Sequence, residues 1–147
     1  MERKSSGGKL SICHLIDDLS QGGAQILLAD IIEHSSTSVD HTVCYIGKRS
    51  QLHDRVEATG ADVYSLDGLF RFDPRPVGRL WRFLRERSFN ILHTHLIYAQ
   101  TMGRVVGRVA GVKNIISTYH AVPGSYTSDR RMRVLEKATR PLDTVSV

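Results

Sequence analysis

The sequence predicts an α/β fold: a doubly wound, Rossmann-like, mostly parallel sheet of about six strands with helices on both faces. Three observations carry that prediction. Short β-branched and aliphatic runs of about five residues alternate with longer stretches whose apolar residues recur at helical spacing. The alternation is strand then helix throughout, the pattern that right-handed crossovers turn into a doubly wound sheet. At 147 residues, with 41% apolar and 24% charged residues, the chain also suits one ordinary globular domain.

The elements follow in order. Residues 1–8 are polar and glycine-rich and read as a flexible tail, leaving 9–147 as one domain. "KLSICHLI" is the first strand, and "GGAQILLADIIEH" a helix whose Ala24, Leu27, Leu28, Ile31 and Ile32 share a face. "DHTVCYIG" is a second strand. "SQLHDRVEATG" is a helix with Ser50 placed to cap it and Gly60 to end it. "ADVYSLDG" is a third strand. After the Asp73-Pro74 turn a helix runs from about Pro76 to Arg87, with Val77, Leu80, Trp81 and Leu84 expected inward. "NILHTHL" is a fourth strand, and "YAQTMGRVVGRVAGV" a helix whose small residues suit close packing on a sheet. "KNIISTYH" is a fifth strand, "SDRRMRVLEKATR" a helix with Ser128 as expected cap, and "DTVSV" opens a sixth strand. A chain that stops inside that strand is expected to have something after it.

Composition narrows the function classes. Cys13 and Cys44 lie in strands with no C-x-x-C, so a zinc ribbon or redox pair is not expected. The apolar run Leu10–Ile16 is broken by His14 and stopped by Asp17, too short for a secretory or spanning segment, and a cytoplasmic protein is expected. Net charge is −4 over residues 1–70 and +9 over 71–147, which invites anionic partners. Nucleic acid is disfavoured, because the arginines lack interleaved stacking aromatics and no groove-reading motif is present. Arg79, Arg82 and Phe83, in "RPVGRLWRFLRER", are candidates for contact with an anionic membrane, against a plain solvated arginine face.

Ligands of open parallel sheets bind beyond the carboxyl ends of the strands. Three marked stretches lie there: Ser20–Ala24, His93–His95 and Ser117–His120. Gly22 and Gly23 open a helix, so they form either an anion cradle or merely a tight turn; a G-x-G-x-x-G fingerprint is absent. His93 and His95 are two apart on a strand; His93 is expected to pack at the strand end and His95 to line the cleft, against a satisfied, purely structural pair. They could take His120 as a third metal ligand, but no carboxylate or cysteine joins them, and no metal is expected. His120 could bond a sugar hydroxyl or phosphate, or act as acid or base. His14 and His41 receive no role. Asp17 and Asp18 are expected to cap the loop after the first strand, against one of them touching an acceptor hydroxyl.

Together "KLSICHLIDDLSQGGAQILLADI", "ILHTHLIYAQTMGRVVGRVAGV" and "IISTYHAV" resemble the amino-terminal half of family 4 glycosyltransferases, over about Lys9 to Val147. The resemblance implies one half of a two-domain GT-B fold. It implies an acceptor-side domain of a retaining enzyme that moves a sugar from a nucleotide-sugar donor to a lipid, polysaccharide or other acceptor, with no essential metal or cofactor. It places Gly22 and Gly23 beside the donor phosphates, His120 as the catalytic-site contact to the transferred sugar, and His95 at the second histidine of the family's H-x-H strand end. The carboxy-terminal donor domain has no counterpart here, so little activity is expected from this chain alone, and that domain or a partner chain is an expected companion. Peripheral attachment at the inner face of the plasma membrane fits a lipid or polysaccharide acceptor. The rival reading is a non-catalytic Rossmann-like module that docks to an anionic membrane or a protein.

Overall fold

Parallel pairing governs the whole architecture. The computed structural model describes residues 8–48, 50–69, 72–120 and 128–147. The tail expected over 1–8 therefore lies outside the described residues except for Gly8. The elements are β1 (Leu10–Ile16), α1 (Gly23–Glu33), β2 (Val39–Tyr45), α2 (His53–Ala58), β3 (Asp62–Ser65), α3 (Arg75–Glu86), β4 (Ile91–His95), α4 (Ile97–Ala110), β5 (Asn114–Thr118), α5 (Arg130–Thr139), a 3-10 turn at Arg140–Leu142, and β6 (Val145–Ser146). The strands form one sheet in the order β3-β2-β1-β4-β5-β6. Every neighbouring pair is parallel. The order reverses at β1, so β1 and β4 sit together at the centre.

Period-2 alternation sorts the core into two layers. Cys13, Leu15, Cys44, Leu92 and Ile115 face α3 and α4 and pack on Leu80, Leu84, Met102 and Val106. Ile16, Val43 and Tyr45 face the other way, toward Leu28, Ala29 and Ile32 of α1 and Val56 of α2. The side chains of Cys13 and Cys44 meet with their sulfurs 4.0 Å apart, free and fully buried, and the contact with Cys13, followed by burial, pushes the Cys44 thiol up.

Helix α4 approaches the sheet closely because it lacks side chains where it touches. A Cβ on Gly103 would stand 2.6 Å from Thr94 Cγ2 and 2.9 Å from Leu15 Cδ2, and one on Gly107 2.7 Å from Leu92 Cδ2. Between these glycines and α5 lies Arg104, fully buried. Its guanidinium donates to Asp143 Oδ1 (3.0 Å), to the Tyr119 hydroxyl (2.8 Å) and to the Glu136 carbonyl (3.3 Å), and it pairs with Asp143 Oδ2 at 2.8 Å. One cation thus ties α4, α5, the end of β5 and the approach to β6.

Several local expectations change. Ser50 does not cap α2; its hydroxyl accepts from Leu19 N–H at 3.1 Å, and the helix starts after Leu52 without a side-chain cap. Asp129, not Ser128, caps α5, accepting from Arg131 N–H at 2.9 Å. On α3 the buried residues are Pro76, Leu80 and Leu84, while Val77 and Trp81 are 41% and 44% exposed. Phe83 turns inward instead. Its ring lies 5.0 Å from Tyr64 and 5.7 Å from Phe89, with the Arg87 guanidinium 4.9 Å above it. The reason is an aromatic partner from a distant strand: Tyr64 of β3 takes the Phe83 ring against the core. Arg79 is exposed but engaged, donating to the Leu66 carbonyl at 2.7 Å beside Asp67 at 3.5 Å, and Arg82 is exposed as well, so of the three proposed membrane contacts Phe83 is the one turned from solvent.

Gly103→Ala drives a methyl into Thr94 and Leu15, so it is expected to cost about 1–3 kcal/mol of stability. Gly78→Ala, on α3 with nothing within 4 Å, is expected to be neutral or to gain about 0.5–1 kcal/mol. Urea unfolding of the two variants beside the parent checks both signs.

Candidate functional site

The three marked stretches do meet at the carboxyl edge of the sheet. Gly22 and Gly23 follow β1, His95 ends β4, and His120 follows β5. Since β4 lies between β1 and β5, the strands leading to the glycines and to His120 stand two spacings apart, about 10 Å.

At the β1 side, Gly22 is extended (φ −127°), so left-handed freedom is not what requires glycine here. Space is: a Cβ would lie 2.4 Å from Gln25 Oε1. Gln25 folds back over Gly22 and donates from Nε2 to Asp18 Oδ1 at 3.1 Å, an oxygen that also accepts from the Ser20 amide at 2.9 Å and the Ser20 hydroxyl. Gly23 has open space around its α-carbon. Among the described residues no side chain caps α1, and its first turn carries no acidic residue, so its start suits an anion. Asp17 and Asp18 both hold the loop, as expected. Asp17 Oδ1 accepts from the Ala99 amide at 2.7 Å and so caps the first turn of α4 from the neighbouring strand.

The β4–β5 side is built from imidazoles. Register sets His14 of β1 opposite His93 of β4, with Ile16 opposite His95, and His95 opposite Thr118. His41 of β2 shares the same sheet face. A continuous line results. The Ser35 hydroxyl meets His41 Nε2 at 2.5 Å, His41 Nδ1 meets His14 Nε2 at 3.0 Å, His14 Nδ1 meets His95 Nε2 at 3.3 Å, and His95 Nδ1 meets His120 Nε2 at 3.1 Å. His93 packs against this line, its ring 4.1 Å from that of His95, and its Nε2 meets the Thr118 hydroxyl at 2.7 Å. Among the described residues the other ring nitrogen of His120, Nδ1, meets no hydrogen-bond partner. His95 does not line the cleft: it is 1% exposed and both its nitrogens face other histidines. It positions His120 from below. Leu96, the next residue, has φ 69°, a value that L residues rarely adopt and that marks the sharp exit from β4 into α4.

Burial keeps these rings neutral. It pushes His14 and His95 well below the usual histidine range, aided by neighbouring histidines. It lowers His93 to about 4, lowers His120, and lowers His41 despite the opposing charge of Asp40. Neutral imidazoles can ligate a metal, and ring nitrogens of His14, His93 and His95 all lie within 4.8 Å of one another. The third member is His14, not His120. Neither His14 nor His41 was marked by sequence. Their signal was period-2 placement on one face, which becomes informative only when β1 is known to lie between β2 and β4.

The sign of the pH effect follows. An unfolded histidine titrates near 6.5, whereas these folded imidazoles refuse the proton. Above about pH 7 both states are neutral and nothing is lost. As pH falls below that unfolded value the unfolded chain gains protons, and each depressed group removes up to about 1.4 kcal/mol per pH unit. For His93 the loss ends near pH 4. Thermal unfolding with a chelator present should show the midpoint dropping steeply between pH 7 and 5; a flat midpoint would contradict the buried neutral cluster.

Comparison with known proteins came to the same place. Residues 21–145 match the model of Glycosyltransferase Family 4. Over 126 residues the chain is 21% identical to the capsular polysaccharide biosynthesis glycosyltransferase CapH of Staphylococcus aureus, an alignment covering 84% of this chain and 34% of that protein. The chain thus spans about a third of the length of that curated relative. Among solved structures, the O-GlcNAc transferase of Thermobaculum terrenum (K341M mutant) superposes with a TM-score of 0.58 at 18% identity, covering 78% of this chain and 21% of that one. The UDP-GlcNAc 2-epimerase of Methanocaldococcus jannaschii superposes with a TM-score of 0.64 at 8% identity, covering 93% and 38%. At those identities the structures speak for the fold. The family match covers most of the chain, and together with the parallel Rossmann-like sheet it shows that the protein belongs to Glycosyltransferase Family 4, as a GT-B-type domain.

Proposed function

We propose that this domain is the acceptor-side wall of a retaining glycosyltransferase that moves a hexosyl group from a nucleotide-sugar. The observation that carries the reading is the pairing of an uncapped helix start at Gly22 and Gly23 with a neutral His120 held from beneath by His95, both at one sheet edge. Glycosyl transfer passes through an oxocarbenium-like state and expels a nucleoside diphosphate. The amides at the start of α1 suit the expelled phosphates. His120 Nδ1 suits a hydroxyl of the sugar in flight, and His95 fixes the ring that presents it. The account needs no metal at the phosphates, and the donor pocket's remaining wall belongs to a carboxy-terminal domain or partner chain, so this chain alone is inactive.

An apolar groove bears on the acceptor. Phe72, Val77, Tyr98, Met102, Val105 and Leu135 line a cavity of about 360 Å³ between α3, α4 and α5. Its Tyr98 end lies at the start of α4, at the same sheet edge as the site. This favours an acceptor with an apolar carrier, lipid-linked sugar among the candidates, worked on by a cytoplasmic enzyme at the inner membrane face. Among the described residues no helix is long and apolar enough to cross a membrane. The second reading, a non-catalytic module on an anionic membrane, draws on the exposed Trp81, Arg82 and Arg85 of α3.

The test joins this sequence to a family donor domain and assays a panel of nucleotide-sugars. Transfer is expected from the joined protein and not from residues 1–147 alone, and His120→Ala should lower kcat about 100-fold or more. Full activity in that variant would remove the role given to His120. Sedimentation with liposomes separates the second reading: binding that requires anionic lipid and is lost in Trp81→Ala supports it, and equal sedimentation with neutral lipid opposes it.

A further inference from the structure

We propose that His14, His93 and His95 form a binding site for one divalent transition-metal ion, suited to zinc, on the α1 face of the sheet beneath the cleft. The inference stands apart from the transferase reading and needs no catalysis. Three geometric facts carry it. First, strand period places His93 and His95 on one face, and register sets His14 directly opposite His93 on the adjoining strand, so the imidazoles converge from two paired strands. Second, a ring nitrogen of each lies within 4.8 Å of the others. Third, His14 Nδ1 and His95 Nε2 are 3.3 Å apart. Zinc–nitrogen bonds of about 2.0–2.1 Å at a tetrahedral angle put two ligand nitrogens about 3.3–3.4 Å apart.

The outer partners agree. A metal-bound imidazole carries its proton on the other nitrogen and donates it to a fixed acceptor. With the ion on His14 Nδ1 and His95 Nε2, His14 Nε2–H donates to His41 Nδ1 (3.0 Å) and His95 Nδ1–H donates to His120 Nε2 (3.1 Å). His41 then donates from Nε2 to the Ser35 hydroxyl, and His120 is left with Nδ1–H as a donor toward the cleft. His93 is fixed by Thr118. In this arrangement every ring proton has a place. A three-histidine set leaves a fourth position for water. His93 and Thr118, both only partly buried, mark the side by which the ion enters, since the helices described on this face, α1 and α2, pack on β1 and β2. Soft sulfur ligands and carboxylates are absent from the trio, which suits an imidazole-seeking ion rather than magnesium or calcium. The bound ion would clamp β1 to β4 and lock the tautomer of His120.

Titration of the untagged 147-residue chain with Co²⁺, followed by visible absorption and by metal analysis after gel filtration, tests this. About one equivalent is expected, with the intense ligand-field bands of four-coordinate cobalt, displaced by Zn²⁺. His93→Gln, at a partly buried position, should weaken binding at least tenfold and lose those bands. Glu57→Gln should change nothing; it probes the His53–Asp54–Glu57 grouping on α2, in which the two carboxylates are exposed and His53 is buried. Circular dichroism confirms that each variant is folded. If His93→Gln does not fold, the parent titration still decides. A folded parent that takes up neither ion at large molar excess would overturn the proposal. So would undiminished binding in His93→Gln, or binding lost in Glu57→Gln.

Discussion

The line of imidazoles across the centre of the sheet is the constraint on which this domain's site depends. Placing polar rings on a sheet face under a helix is costly unless each ring nitrogen finds a partner. Here the partners are one another: β2, β1, β4 and the end of β5 each contribute a histidine, and the bonds cross every intervening strand boundary. A register slip of one residue in β1 or β4 would turn its histidines to the opposite face, among Leu92, Leu15 and Met102, and strand their nitrogens. The polar line thus specifies register where apolar packing alone would be more tolerant. It also turns a strand arrangement into the orientation of one partly buried ring, His120.

The opposite face solves a similar problem with charge. Arg104 is wholly buried and would be untenable alone, yet Asp143, Glu136 and the Tyr119 hydroxyl surround it. Tyr119 is the residue before His120. Two independent networks, one of neutral rings and one of ions, therefore grip the end of β5 from either side of the sheet. The glycines of α4 make this possible: only with Gly103 and Gly107 flat against β1, β4 and β5 does Arg104 sit deep enough to reach Asp143.

Much of this was legible in the sequence. Alternating strand and helix patterns gave the element order, and the parallel topology rule brought three separated stretches to one edge. Gly60 ends its helix at φ 90°, and small residues in α4 did mean close packing. What stayed hidden depended on partners from distant strands. Phe83 is the ring that packs, and Trp81 the exposed one, because the helical wheel does not reveal that Tyr64 and Phe89 wait for Phe83. Ser50 lay at a plausible cap position, but its hydroxyl is taken by Leu19 from another loop. His14 read as an interruption of an apolar strand. Only the strand order, with β1 between β2 and β4, shows that it joins His41 to His95. Arg104, one arginine among many, had no local mark to set it apart.

The epimerase and transferase structures that share this fold show that the sheet itself does not choose a reaction. The chemistry available to this chain lies in how its strand tips are furnished, and the imidazole line furnishes those of β4 and β5. Long-range proton–nitrogen NMR correlation of the histidine rings, with a chelator present, reads that line directly. The account predicts that His14 and His95 each show one fixed neutral tautomer and stay uncharged well below the usual histidine range. Rings that average between tautomers and titrate near 6.5, as free histidine does, would contradict it.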